Sequence, residues 1–216
     1  MLGAMRIDIV SDTICPWCYI GKRRFERALR QSGVEAEIAW RPFQLNPDMP
    51  KDGMERSAYL AEKFGGSGRA DEIYAPIREA GDAEGIAFAF ERIRRTPNTM
   101  LSHRLIHHAG TLGRQDAVVE GLFVAYFVEG RNVGAIEELA AIGEAAGLDR
   151  ATTAAYLSGD TDLERVAAED EMARRMGIHG VPCFIIERRL MVSGAQSPEI
   201  FERAFTMARE TPRATA

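Results

Sequence analysis

The sequence is short of several features that would define its class at once. It has only three cysteines and no long apolar run, and its charged residues are spread without a basic block. Three cysteines are too few for the disulfide framework that stabilises small secreted domains. A helix needs about 20 apolar residues to cross a bilayer, so no membrane-spanning segment is predicted. The net charge of −5 without a basic block argues against a nucleic-acid or anionic-membrane partner.

At the beginning of the chain we expect no signal peptide. Residues 1–6 pass directly into a charged, strand-like segment without the apolar region of a signal peptide. We therefore predict a cytoplasmic location, where paired cysteines are more often catalytic or metal-binding than structural. The chain has 216 residues, 46% of them hydrophobic, which is enough to bury a sizeable core.

Two of the cysteines form the motif Cys15-Pro16-Trp17-Cys18, between a strand-like and a helix-like segment. A dithiol in that context is typical of a redox site. The first turn of a helix presents unpaired N–H groups and the positive end of the helix dipole, and both stabilise a thiolate. Pro16 suits this turn because it has no N–H to leave unpaired. We predict that Cys15 is the exposed attacking sulfur and that Cys18 resolves the mixed disulfide.

The periodicity of apolar residues predicts the elements at the two ends of the chain. The chain opens with a strand over 5–10, a helix over 20–31 and a strand over 34–41, which favours a parallel β-α-β unit. It closes with a helix over 161–176, for which Asp162 is the predicted cap, and then a hairpin and a last helix.

Between these units the spacing of apolar residues is helical. The predicted helices lie over 54–64, 69–80, 99–110, 115–130, 135–146 and 150–157. The fold class is therefore α/β, a thioredoxin fold interrupted by a large all-helical insertion. We place a discontinuous thioredoxin-like domain at residues 5–52 and 160–212, and a helical insertion domain at residues 53–159.

Several motifs together resemble one family over nearly the whole chain. They are Asp12…Cys15-Pro16-Trp17-Cys18-Tyr19-Ile20-Gly21, Phe43-Gln44-Leu45-Asn46-Pro47, Asn98-Thr99…His103-Arg104, Gly180-Val181-Pro182 and Ser193-Gly194-Ala195-Gln196. The chain resembles DsbA-family thiol oxidoreductases of the FrnE type, which are related to 2-hydroxychromene-2-carboxylate isomerases. The resemblance implies that the Val181–Pro182 bond is cis and faces the dithiol. It also implies that backbone groups of Val181 receive an extended substrate strand.

The third cysteine, Cys183, stands where such proteins more often carry an aromatic or a small hydroxyl residue. Cys15, Cys18, His179 and Cys183 together have the composition of a Cys₃His zinc site. A residue just inside a strand usually points into the sheet packing, however, so we expect Cys183 to be a small buried hydrophobe. No metal site is therefore predicted.

A few other residues have two interpretations each. His179 could move a proton near the sulfurs, although a surface position is the simpler interpretation. Trp17 either offers contact surface to a substrate or packs structurally. Asp12 is a candidate proton acceptor for Cys18 or a turn-forming residue. Three histidines at helical spacings have no evident carboxylate partner, so a packing role is preferred for them: His103, His107 and His108.

The sequence thus predicts a thiol–disulfide oxidoreductase that acts on a protein or glutathione-like disulfide or thiol. Cys15, Cys18 and Pro182 are the predicted catalytic residues. The predicted substrate-binding residues are Pro16, Trp17, Val181 and His179. No prosthetic group is required because the dithiol carries the electrons, and glutathione is a candidate co-substrate.

Two other functions fit parts of the sequence. The related isomerases use glutathione to convert a small aromatic molecule, typically with a serine in place of the first cysteine, and the intact pair argues against that activity here. A non-catalytic chaperone or binding module would use the helical insertion. There Phe123, Tyr126 and Phe127 could support a groove, although their helical spacing is more typical of a core.

Overall fold

The structure, a computed structural model, describes residues 4–65 and 67–210. Its strands are β1 (Met5–Ser11), β2 (Ala36–Pro42), β3 (Met54–Glu55), β4 (Arg95–Thr96), β5 (Cys183–Ile186) and β6 (Leu190–Ser193). Its α-helices are α1 (Pro16–Ser32), α2 (Arg56–Phe64), α3 (Ser67–Asp82), α4 (Met100–Thr111), α5 (Gln115–Phe127), α6 (Ile136–Ala145), α7 (Arg150–Ser158), α8 (Leu163–Arg175) and α9 (Pro198–Glu210). Within this part of the chain, no helix combines the length and the apolar character needed to span a membrane.

A four-stranded sheet in the order β2-β1-β5-β6 lies at the centre of the fold. Strand β1 pairs parallel with β2, while β5 pairs antiparallel with both β1 and β6. The parallel pair is the one expected of a β-α-β unit, since the crossover helix returns the chain in its original direction. The predicted α/β class, a thioredoxin fold with a helical insertion between β2 and α8, is confirmed. Strands β3 and β4 form a separate two-stranded pair inside the insertion, so the prediction that the insertion is all-helical is wrong in this detail.

One face of the sheet is covered by the helices α1 and α9. Ile9 of β1 lies opposite Phe184 of β5, and both side chains are fully buried. The ring of Phe184 packs against Phe25 of α1 and Phe201 of α9, with centroids 5.2 and 4.6 Å away. Burial of such rings is worth about 1.5–3 kcal/mol each, so this layer fixes α1 on the sheet.

The helical insertion packs against the same hydrophobic cluster. Tyr19 of α1 stacks on Phe123 of α5 with centroids 5.0 Å apart, and Trp40 of β2 meets that ring edge-on at 6.4 Å. Beside the rings, the buried Lys22 of α1 forms an ion pair with Glu120 of α5 at 3.1 Å. Helix α1, which begins at the dithiol motif, is therefore held by both the sheet and the insertion.

Several predicted helix starts differ from the structure by one to four residues, and α1 begins at Pro16 rather than at residue 20. Helix α2 begins at Arg56 rather than at residue 54, because the two preceding residues form β3 and pair with β4. Helix α8 begins at Leu163, and Asp162 occupies the predicted N-cap position, but its side chain makes no capping hydrogen bond. The backbone of Asp162 is left-handed, with φ of 59°, and its carboxylate accepts a hydrogen bond from the Tyr156 hydroxyl at 3.1 Å. The predicted end of the thioredoxin-like domain at residue 212 lies outside the described residues.

Candidate active site

The turn between β1 and α1 places the dithiol at the N-terminus of α1. Cys15 is the N-cap residue, with an extended backbone at φ −94° and ψ 111°, and Pro16 is the first residue of the helix. The Cys15 N–H donates to the Asp12 carbonyl at 3.1 Å, and the Cys18 N–H donates to the Cys15 carbonyl at 3.0 Å. The Cys15 sulfur thus lies at the helix end where N–H groups and the dipole favour an anion. Both cysteines are free thiols.

Both sulfurs are covered, so the prediction of an exposed Cys15 is wrong. The exposed fraction is 4% for Cys15 and 1% for Cys18. The cover over Cys15 comes from the segment before β5, where the Val181 carbonyl accepts a hydrogen bond from the Cys15 thiol at 3.5 Å. This contact joins parts of the chain that are distant in sequence, and no local pattern predicts it. Trp17, with 38% of its surface exposed, is the outward-facing residue of the motif.

The segment facing the dithiol is fixed by close packing against α1. The Val181–Pro182 peptide bond is cis, and the Pro182 carbonyl accepts a hydrogen bond from the Gly194 N–H at 2.8 Å. A Cβ atom added to Gly21 of α1 would lie only 2.9 Å from Cγ of Pro182. Real Cβ contacts are essentially never that short, so Gly21 permits the approach of the proline ring to the helix.

His179 lies on the surface in a cleft that Val181 and Pro182 also line. Among the described residues, none of the contacts of its side chain reaches either sulfur of the dithiol. Its part in substrate binding therefore stays a prediction. Met191 of the edge strand β6 also lines this cleft, and the side chain of Met191 is exposed.

Burial raises the pKa of the Cys18 thiol well above its ordinary value, and the neighbouring Cys15 sulfur adds to this effect. Hydrogen bonds from the Ser11 side chain and the Asp12 backbone favour the Cys18 thiolate, but burial outweighs them. Cys18 is therefore a thiol at neutral pH in the reduced protein. It must lose this proton before it can attack a disulfide.

Cys183 lies on the other face of the sheet, away from α1. It is opposite Val10 of β1, and the two side chains form a small cluster with Phe43, Ala173 of α8 and Ile178. Adjacent residues of a strand point to opposite faces, which separates Cys183 from the layer that contains the dithiol. Among the described residues, no three His, Cys, Asp or Glu side chains come together as metal ligands. Burial raises the pKa of the Cys183 thiol, although a hydrogen bond with Ser193 acts against this.

Two histidines of α4 have carboxylate partners, which contradicts the expectation from sequence. The Nε2 atom of His103 lies 3.3 Å from Oδ1 of Asp12, and that of His107 lies 3.9 Å from Oδ1 of Asp162. The other carboxylate oxygen of Asp12 accepts a hydrogen bond from the Leu45 N–H at 2.7 Å. Each partner is remote in sequence, so the spacing of the histidines alone could not identify it.

We expect iodoacetamide to modify Cys15 before the other two thiols of the reduced protein. Because burial raises the pKa of Cys18 and of Cys183, both stay protonated near neutral pH and gain thiolate only as the pH rises. Cys15 should therefore be labelled first, and labelling of Cys18 and Cys183 should increase only as the pH rises. Competitive labelling read by peptide mass spectrometry, near neutral pH and again in alkaline buffer, measures this order. Equal labelling of Cys183 near neutral pH would contradict it.

Comparison with known proteins identifies the family. The sequence matches the DSBA-like thioredoxin domain over residues 6–206. The crystal structure of the probable DsbA oxidoreductase SCO1869 from Streptomyces coelicolor is 35% identical, with a TM-score of 0.87 over 98% of this chain and 94% of that one. The uncharacterized protein YwbO of Bacillus subtilis (strain 168) is 28% identical over 94% of this chain and 96% of its own length.

More distant structures share the fold. The cytosolic disulfide reductase DsbM from Pseudomonas aeruginosa, in a structure with GSH, has a TM-score of 0.64 at 18% identity, covering 95% of this chain and 100% of that one. The matched range covers the β-α-β opening from its second residue, the dithiol, the insertion and the closing α-β-β-α unit as far as residue 206 of α9. The chain belongs to the DSBA-like thioredoxin domain family.

Proposed function

We propose that this protein is a cytoplasmic thiol–disulfide oxidoreductase that works through the Cys15–Cys18 pair. The observation that carries the proposal is the arrangement of three parts. Cys15 is the N-cap of α1, Cys18 lies one turn further along the helix, and the Val181 carbonyl lies 3.5 Å from the Cys15 sulfur. A helix N-terminus favours the attacking thiolate, and a second thiol one turn away is placed to release the product.

The reaction starts from the reduced dithiol. The Cys15 thiolate attacks a substrate disulfide, so that a Cys15–substrate bond forms, the substrate S–S bond breaks, and the leaving sulfur takes the electron pair and a solvent proton. Cys18 then loses its proton and attacks Cys15. The Cys15–Cys18 bond forms, and the second substrate sulfur leaves with its electron pair. The substrate is reduced to two thiols as the dithiol is oxidised, and the reverse sequence oxidises a substrate.

The residues around Cys15 suit an extended substrate. Pro182 has no N–H to compete with a bound chain, and the Val181 carbonyl beside Cys15 can accept a hydrogen bond from a substrate backbone. Trp17 offers an exposed ring next to the sulfurs, and Pro16 adds a half-buried apolar edge. We assign substrate binding to these four residues, together with His179 at the adjoining cleft.

Glutathione is the small thiol that we propose as a co-substrate. The support is the likeness in fold to DsbM of Pseudomonas aeruginosa, a cytosolic disulfide reductase whose structure contains GSH. The same likeness favours the cytoplasm as the compartment. The dithiol carries both electrons, so the proposed reaction requires no prosthetic group.

We expect a reduction potential between the values for thioredoxin and DsbA, about −270 and about −120 mV, and in the more reducing half of that interval. Neither Pro16 nor Trp17 carries a charge that would stabilise the Cys15 thiolate. The N-terminus of α1 must therefore stabilise the thiolate largely alone, and a less stabilised thiolate makes the reduced form less stable.

Equilibration in glutathione redox buffers, with the disulfide content read by mass spectrometry, measures this potential and tests the proposed function. The Cys183→Ser variant is the matched control and should give the same value. The Cys18→Ser variant should form no intramolecular disulfide in any buffer. A potential near that of DsbA would contradict the electrostatic argument, and the absence of a Cys15–Cys18 disulfide in every buffer would overturn the function.

A further inference from the structure

The insertion contains a cavity of about 430 Å³ at the start of α2. The residues that line this cavity belong to β3, α2, α3 and the segment between α3 and β4. None of them belongs to β1, to α1 or to the segment before β5, so the cavity is separate from the dithiol and its cleft. Its volume is within the range of small-molecule sites, about 300–1,000 Å³.

Part of the cavity lining is apolar. Tyr74 of α3 stacks on Phe90, with ring centroids 4.3 Å apart and 12° between the ring planes. Both rings are buried, as is Ile93, and Leu60 of α2 adds a half-buried aliphatic side chain. These contacts are already formed, so a ligand with an apolar body can bury that body without rearranging the lining.

Arg56, the first residue of α2, brings a positive charge to this apolar lining. Its hydrogen-bond partners within the described residues are both neutral, namely Oγ1 of Thr96 at 2.9 Å and the hydroxyl of Tyr74. The guanidinium lies 5.4 Å from the centre of the Tyr59 ring, whose face carries only a partial negative charge. A half-buried cation with neutral partners is costly, so an anion in the cavity would stabilise Arg56.

The pairing of Arg56 is also incomplete. In the buried Arg104, the Nε atom and both Nη atoms all donate to backbone carbonyls. The Nε atom of Arg56 is buried, and it has no hydrogen-bond partner in the part of the chain that the structure describes. The guanidinium of Arg56 is therefore less well compensated than that of Arg104, although neither has a carboxylate as a hydrogen-bond partner.

The other charged groups that line the cavity limit the charge of a ligand. The carboxylate of Glu55 accepts hydrogen bonds from the N–H and the hydroxyl of Ser57, at 3.2 and 2.6 Å, and caps α2. Asp71 lies 3.9 Å from Arg78 of α3. Two further charged residues of the lining are exposed, Glu91 and Arg94. Acidic and basic side chains thus balance, which favours a singly charged anion over a phosphate dianion.

We propose that this cavity binds a small monocarboxylate with an apolar body. The carboxylate lies beside Arg56, whose guanidinium donates a charge-assisted hydrogen bond to it. The body lies against the rings of Tyr74 and Phe90, where its burial adds to the affinity. Binding is non-covalent and does not involve the dithiol, so the inference is independent of the proposed disulfide exchange.

An NMR titration of the isotope-labelled protein with 4-phenylbutyrate, a ring on a short chain with one carboxylate, measures both affinity and location. We expect saturable shifts of the amide signals of Leu60, Tyr74 and Ile93, and none for Trp17 or Val181. The neutral 4-phenylbutyramide has the same body and is the ligand control. It should bind at least about tenfold more weakly, the loss expected when a charge-assisted hydrogen bond is removed.

Three variants separate the charge from the volume. Arg56→Met should weaken binding of 4-phenylbutyrate by at least about tenfold and make the acid and the amide equal, because only the acid uses the guanidinium. Leu60→Trp should weaken both ligands, because the larger side chain takes space that the body needs. Arg165→Met, in an exposed arginine of α8 outside the cavity lining, is the matched control and should bind both ligands as the wild type does.

Several outcomes would overturn the proposal. These are the absence of saturable shifts up to millimolar ligand, shifts confined to the surroundings of Trp17 and Val181, and equal affinity of the wild type for acid and amide. Wild-type affinity in both Arg56→Met and Leu60→Trp would do the same. If the amide spectrum shows that Arg56→Met is unfolded, Leu60→Trp and the comparison of acid with amide decide the question.

Discussion

Replacement of Cys15 by serine is expected to reduce disulfide exchange by at least about three orders of magnitude, as removal of a catalytic nucleophile does elsewhere. A serine hydroxyl at the start of α1 is neither ionised at neutral pH nor able to exchange with a disulfide. The side chain is buried and of similar size, so the fold should be retained. Turnover of a glutathione mixed disulfide, followed with the wild type in parallel, measures the loss.

Cys18→Ser should behave differently from Cys15→Ser. Attack by Cys15 still occurs, but no thiol resolves the product, so a mixed disulfide on Cys15 accumulates and is visible by intact mass. Cys183→Ser is the matched control because its sulfur lies on the other face of the sheet, and it should keep full activity. Comparable turnover in Cys15→Ser and the wild type would show that the dithiol is not the reacting group.

The Cys15→Ser variant also distinguishes disulfide exchange from the activity of a glutathione-dependent isomerase. Such an enzyme activates glutathione with a hydroxyl group and has no use for a resolving thiol. Conversion of a chromene carboxylate that survives Cys15→Ser would favour isomerisation over disulfide exchange. We expect no such conversion, because Cys15 and Cys18 are both present and lie at the positions that exchange requires.

Replacement of Arg104 by methionine is expected to destabilise the protein by about 3 kcal/mol or more. The guanidinium of Arg104 is buried in α4 and donates hydrogen bonds to four backbone carbonyls at the end of α7 and in the loop after it. These belong to Tyr156, Leu157, Gly159 and Thr161, at 2.7–3.1 Å. Methionine fills a similar volume but leaves the carbonyls without that donor, and a carbonyl that stays buried and unsatisfied, as that of Leu157 would, costs about 1–3 kcal/mol.

Urea unfolding measures this loss as a lower midpoint with an unchanged slope. Arg104→Lys should recover only part of it, because one ammonium group cannot reach carbonyls spread around a planar fork. Arg175→Met is the matched control, since that exposed side chain pairs with the equally exposed Glu171 at the surface and should change stability by less than about 1 kcal/mol. A midpoint for Arg104→Met equal to that of the control would show that other groups hold the α7–α8 junction.

The two arginines illustrate what the sequence by itself determined. Both stand in helical segments that were predicted from apolar spacing alone, and nothing local distinguishes the buried one from the exposed one. The order of the elements, the dithiol at a helix start and the insertion between two halves of a thioredoxin fold were all determined in this way. Each depends on periodicity or on a short motif, that is, on residues a few positions apart.

Only the tertiary structure decided which distant groups meet at the site. It turned Cys183 to the opposite face of the sheet, and it brought the Val181 carbonyl to 3.5 Å from the Cys15 sulfur, a facing that only the family resemblance had implied. It also brought His103 of the insertion to within 3.3 Å of Asp12 behind the dithiol. Such pairings follow from how the sheet, α1 and the insertion pack together around one core. That packing depends on burial and close contact between residues that are far apart in the chain, so no short segment of the sequence predicts it.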